Sequence, residues 1–199
     1  LWLAMENPDI PLDNFDQNLK YGDAVVGCTV EQISVFDWSQ KDNTQSKLNP
    51  LIQEIKTQRL KVLEEGVVDT QNILEHIESI SHQAKRTGDL LVACIWAGGS
   101  RVQVQKRIKR IRLEISQLLR GDFSEEATQL LNDFDNGEFG FKPFHWELEF
   151  PEVFFDAECK GFDVVLGNPP YMGKVTTAMS NGKEYIKILN LNCFQYFFD

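Results

Sequence analysis

Asn168, Pro169, Pro170 and Tyr171 follow directly on the apolar run Phe162-Asp-Val-Val-Leu-Gly167. Pro169 and Pro170 have φ fixed at about −65° and carry no N–H donor. Asn168 and Pro169, each preceding a proline, are held out of the helical region. A stiff loop therefore offers two oxygen acceptors, the Asn168 amide and the Pro169 carbonyl, in a fixed relation. Tyr171 adds a flat ring beside them. A planar base with an exocyclic amino group carries two N–H donors and a stacking face, and it matches that set. Were the preceding run a strand of an open α/β sheet, the loop would sit at the carboxyl edge, where such sheets bind ligands.

Other reactive side chains carry less. His145, Glu147, Glu149 and Glu152 could ligate a metal, but one histidine among scattered acids reads as a solvated polar face, and no metal is expected. His76 and His82 lie six apart on a helical stretch, on different faces. Cys28, Cys94, Cys159 and Cys193 show neither metal-clip spacing nor a disulfide framework, which predicts a reducing, cytoplasmic setting. Asp163 could orient the loop or mark an exposed strand face. The Phe-rich stretch Phe134 to Phe155 reads as core.

Three zones must position these residues. In residues 1–40, Asn18-Leu-Lys-Tyr-Gly-Asp-Ala-Val-Val-Gly27 reads as a short strand, with Gly22 and Gly27 allowing tight turns. Residues 41–142 read as helical. Asn49-Pro50 opens one helix that Gly66 stops, and Asp69 opens the next, broken at Gly88. Leu90–Trp96 is taken as helix, although periodicity alone does not decide it. Ser100 caps a long helix with its stripe on Val104, Ile108, Ile111, Ile115 and Leu118, ended by Gly121. That stripe is too short for a coiled coil and suits a local bundle. Ser124 caps a last helix through Leu131. In residues 143–199, Phe144, Trp146, Leu148 and Phe150 alternate with polar residues as in an extended segment with one buried face. Phe162–Leu166 follows as a second strand.

The 199 residues are 42% hydrophobic and 25% charged, which excludes a disordered or collagenous chain. The longest apolar run, Leu90 to Ala97, is far short of the roughly 18 residues that span a bilayer, so no membrane is expected. Net charge is −10, yet six basic residues and no acid fall in Arg101–Arg112. That strip reads first as a solvated helix face and second as a track for a phosphate backbone. The chain opens on Leu1 and closes on the apolar Phe194-Gln-Tyr-Phe-Phe-Asp199, which suggests a piece of a longer protein.

The segment Gly161-Phe-Asp-Val-Val-Leu-Gly-Asn-Pro-Pro-Tyr171 resembles the catalytic motif of amino-group methyltransferases that use S-adenosylmethionine. Together with Asn18–Gly27, the helical stretch and Phe144-His-Trp-Glu-Leu-Glu-Phe-Pro-Glu-Val-Phe154, it resembles adenine-specific DNA methyltransferases of the type IIG restriction-modification and phage-defence kind. The resemblance implies an α/β fold: part of a Rossmann-like sheet in 1–40 and 143–199, with 41–142 as a large helical insertion. It implies S-adenosylmethionine as cofactor and double-stranded DNA with a flipped adenine as partner. Asn168 and Pro169 would accept from the target amino group, Pro170 would stiffen the loop and Tyr171 would stack on the base. Asp23 falls where the family places an acid near the cofactor's adenine, and Ala24 stands where some relatives carry an aromatic residue. The family's glycine-rich cofactor loop is not found, and Ala97-Gly-Gly-Ser100 is a poor stand-in for it. That loop is expected upstream, a target-recognition domain and a fused nuclease outside the chain, and the chain alone is expected to be inactive. The same loop could serve a methyltransferase acting on protein glutamine, and a non-enzymatic helical interaction module is the remaining alternative.

Overall fold

A computed structural model describes residues 18–38, 47–64, 70–137, 142–155 and 161–167. Helix forms where its start is signalled locally. Thr29 and Gln32 make a reciprocal capping box at α1 (Val30–Val35), each bond at 3.0 Å. Ser100 and Gln103 do the same for α4 (Arg101–Arg112), and Ser124 caps α6 (Glu125–Asp135). Between them run α2 (Asn49–Glu64), α3 (Thr70–Trp96) and the single turn α5 (Ile115–Leu118). Two further turns, α7 (Trp146–Glu149) and α8 (Pro151–Phe154), follow, the second started by Pro151.

α3 is the axis of the molecule. Its 27 residues span about 40 Å, and α1, α2, α4, α6 and α7 all pack against it. Leu90 to Ile95 are buried on every side, as expected of a helix that is apolar all round. The core joins Val26, Cys28, Ile33 and Phe36 to Ile52, Leu91, Ile111, Leu131 and Leu148, so it draws on all three sequence zones. Arg112 closes α4 onto α1: its Nε donates to the Phe36 carbonyl at 3.2 Å, and it pairs with Asp37. Arg59, 1% exposed, ties α2 to α8 through two 2.7 Å contacts to Glu152 and stacks over the Phe150 ring. No helix among the described residues is long and apolar enough to cross a membrane.

The expected α/β class is overturned. Among the described residues there is no strand and no sheet, only one isolated parallel bridge between Asp23 and Pro143. The three expected strands fail for one reason: a strand's hydrogen bonds come from another segment, and no continuous partner lies alongside among the described residues. Residues 18–27 form turns around that bridge. The alternation of Phe144 to Phe150 becomes a turn of helix with Leu148 in the core. Residues 162–166 are non-helical and unpaired, with Val164 and Leu166 72% and 92% exposed.

Two helix boundaries also differ. α3 continues through Gly88, since a helix-interior glycine costs only about 1 kcal/mol relative to alanine. The expected long helix after Ser100 stops at Arg112 and resumes at Ile115, while its stripe from Val104 to Leu118 still faces the core.

Candidate functional site

The two segments that bear the sequence motifs, although more than a hundred residues apart, form one seam. Asp23 donates its N–H to the Lys142 carbonyl at 2.7 Å, and Phe144 donates to the Val26 carbonyl at 2.7 Å. The Trp146 indole donates to the Ala24 carbonyl at 2.9 Å. Cys28 N–H donates to His145 Nδ1 at 3.0 Å, and Val30 N–H to Glu147 Oε2 at 2.6 Å. Glycine permits the close approach. A Cβ on Gly27 would overlap the Phe144 carbonyl, and a Cβ on Gly88 would lie 2.6 Å from the His145 ring. Close contact, rather than a turn needing positive φ, is what Gly27 supplies.

His145 is 2% exposed, against the expectation of a solvated face. Because Nδ1 accepts from Cys28, the neutral ring keeps its proton on Nε2, which faces Asp89 Oδ1 at 3.3 Å. Asp89 Oδ2 accepts from Arg86 at 3.1 Å. The His145 ring therefore fixes α3 to the seam. Burial pushes the Glu147 carboxyl up to about 7, with Glu31 adding to the rise and the Val30 N–H opposing it. Glu149 is held between Lys85 Nζ at 2.8 Å and Lys20 Nζ at 3.6 Å. Burial drives the Lys85 ammonium down, but Glu149 and Glu78 outweigh it, and the net shift is upward. Burial lowers Lys20, with Glu149 partly opposing. Burial also pushes the Cys94 thiol up to about 12, so it offers no nucleophile near neutrality. No group of three or more His, Cys, Asp or Glu among the described residues is placed to hold a metal ion.

Asp23 sits at the mouth of the seam, half-buried, its Oδ1 accepting from Val25 N–H at 3.1 Å in an Asx turn. Beside it, an open depression of about 390 Å³ is lined by Asn18, Lys20, Phe144, Trp146, Phe150 and Phe162, among others. Its walls are flat rings with a polar rim, a shape that accepts a planar ring. Phe162 reaches this depression from the segment that leads to the loop, packing edge-on against Trp146 at 5.6 Å, Phe150 at 5.7 Å and Phe154 at 5.6 Å. Trp146 links this segment to Asp23, since its indole bonds to Ala24, next to Asp23, and its ring packs on Phe162. Asn168, Pro169, Pro170 and Tyr171 themselves lie outside the described residues.

The buried His145–Asp89 contact and the raised Glu147 were not foreseen. A signal existed: His145 and Glu147 interrupt an apolar stretch, Phe144 to Phe150, that must be buried. What was missing is the partner, since Asp89 is 56 residues away in sequence.

A family model described as Eco57I restriction-modification methylase matches residues 1–199. No curated protein and no solved structure matches the chain.

Proposed function

The chain belongs to the Eco57I restriction-modification methylase family, and from that premise we propose that it transfers a methyl group from S-adenosylmethionine to the exocyclic amino group of adenine in double-stranded DNA. The family carries the reading, and the ring-lined depression that Phe162 enters, shortly before the Asn168 motif in sequence, supports it.

The donor set is compatible with the cofactor. Asp23 would accept from its adenine amino group, and the ring-lined depression would take its flat face. When bound, S-adenosylmethionine supplies an electrophilic methyl group. The chain's own part is positioning. Asn168 and Pro169 accept the two N–H bonds of a flipped adenine, which draws the nitrogen lone pair out of conjugation. Tyr171 covers the base and offsets the few kcal/mol lost in unstacking it. Pro169 and Pro170 keep the acceptors from relaxing. The nitrogen would bond the methyl as the sulfonium C–S bond breaks and leaves a neutral thioether, and would release one proton to water, so no strong general base is needed. The helical stretch 41–142 serves as an insertion between the motif-bearing stretches 1–40 and 143–199.

Asn168→Ala in the full-length protein is the test, with methyl incorporation into duplex DNA read by mass spectrometry of the nucleosides. Near-complete loss of N6-methyladenine with retained DNA affinity is expected. Undiminished methylation, or a methylated product that is a protein glutamine, would overturn the reading.

A further inference from the structure

We propose that the recess at the turn between α3 and α4 is a contact for the phosphate backbone of duplex DNA, separate from the seam. The inference rests on the reading of DNA as substrate. The recess measures about 410 Å³ and is lined by Gly98, Gly99, Gln103, Lys106, Arg107 and Arg110, with Ala97 at its edge. Gly98 and Gly99 have φ of 68° and 105°, a backbone that disfavours side chains, and so that wall stays open. Arg107 is anchored: its Nη1 donates to the carbonyls of Cys94 and of Gly98, the latter at 3.3 Å, at the carboxyl end of α3. Its charge is thereby held at the recess. Arg110 pairs with Glu126. Lys106 is exposed and has no ion-pair partner among the described residues.

The charge continues along the helix. α4 has no acid in its 12 residues. Ile108 and Ile111 are buried, which turns Lys106, Lys109 and Arg110 outward on the opposite side. The chain's net charge of −10 does not cancel this patch. Screening limits exposed charges to about 8 Å at physiological salt, so a phosphate in the recess senses the local cations first. A guanidinium fork and flexible ammonium groups suit phosphodiester oxygens. The alternative polyanion is a lipid surface. The exposed apolar residues on this helix and its end, Val102 and Leu113, stand eleven positions apart and give too little apolar surface for interfacial insertion. Duplex DNA is the better fit.

Lys106→Gln/Lys109→Gln in the full-length protein tests this, by titrating a duplex of random sequence at several salt concentrations. Affinity should fall about tenfold and the slope of log affinity against log salt by about two, one for each lost phosphate contact. The rate at saturating DNA should hold while the KM for DNA rises. Lys106→Arg/Lys109→Arg should restore the slope, which separates lost charge from a damaged fold. Lys47→Gln/Lys61→Gln removes the same charge from exposed positions elsewhere and should leave the slope alone. An unchanged slope in the first variant, an equal fall in the matched-charge variant, or wild-type protein that binds phosphatidylserine vesicles in preference to duplex would overturn the proposal. Asn168→Ala should keep the wild-type slope, so a failed methylation reading leaves this measurement interpretable.

Discussion

The seam of residues 22–30 with 142–150, and residues 161–167, overlap the segments that the sequence reads as strand or extended, 18–27 with 144–150 and Phe162–Leu166, and they end in opposite conditions. In the first pair, backbone N–H groups of Asp23, Cys28, Val30 and Phe144 all find partners across the seam, and Val26, Cys28, His145 and Leu148 are buried. In 161–167, Gly161 donates to the Val153 carbonyl at 3.1 Å and Phe162 docks on three rings, but Val164, Val165 and Leu166 stand exposed. The same kind of apolar run is thus buried where the body supplies acceptors and neighbours, and left exposed where it does not. Apolar character selects burial only when a surface is there to receive it.

The contrast breaks most sharply on glycine. Gly27→Ala would drive its Cβ into the Phe144 carbonyl, with the carbonyl carbon at 2.8 Å, and both groups are backbone. A loss of about 3 kcal/mol or more is expected in urea denaturation. Gly167→Ala has nothing within 4 Å of its Cβ and should stay within about 0.5 kcal/mol of wild type. Similar costs for the two would mean that the seam is not the rigid region.

A second test concerns how the seam grips α3. His145→Ala removes the acceptor of the Cys28 N–H and the ring that faces Asp89, at a cost of roughly 2–3 kcal/mol. Gly88→Ala alone should cost about 2 kcal/mol, because crowding against the ring outweighs the roughly 1 kcal/mol that alanine gains in a helix. In the His145→Ala background the same change should cost clearly less, since only Ile33 Cδ1 at 3.0 Å then crowds the new methyl. A double-mutant cycle with no coupling would show that the ring does not set the glycine.

How much of this was legible follows from where hydrogen bonds are made. Helices bond within themselves, four residues apart, so Ser100 with Gln103, Asn49-Pro50 and Ser124 announce their helices in the sequence. Leu90–Trp96 falls to helix because it continues the α3 ladder. Gly88 misleads, because its reason is the His145 ring, brought from 57 residues away in sequence. The strands were illegible for the converse reason: nothing local says whether a partner will arrive. Of the site, Asp23 bonds to Lys142 at the start of the segment that runs on through Phe144, while Asn168 to Tyr171 lie outside the described residues.

Glu147 makes the seam's stability depend on pH. Its carboxyl is raised from 4.5 to about 7 in the folded chain, so the folded state binds the proton more tightly than the unfolded one. The contribution is complete below about pH 4.5 and is lost as the pH rises through about 7. Glu147→Gln keeps an acceptor for Val30 and carries no charge. It should flatten the pH dependence of the urea midpoint in that window and, above it, exceed wild type by roughly 2 kcal/mol. Parallel pH curves for the two proteins would remove Glu147 from the seam's energetics.

The smallest effect is expected at Leu166. At 92% exposure it has little transfer free energy left to lose, so Leu166→Ser should shift the urea midpoint by less than about 0.5 kcal/mol equivalent. Leu148, 1% exposed under the seam, has the same side chain and would lose about 3 kcal/mol on truncation to alanine. The ratio of these two costs measures the difference between the regions with chemistry held nearly constant. If Leu166→Ser costs more than about 1 kcal/mol, residues 161–167 are packed rather than merely tethered by Phe162.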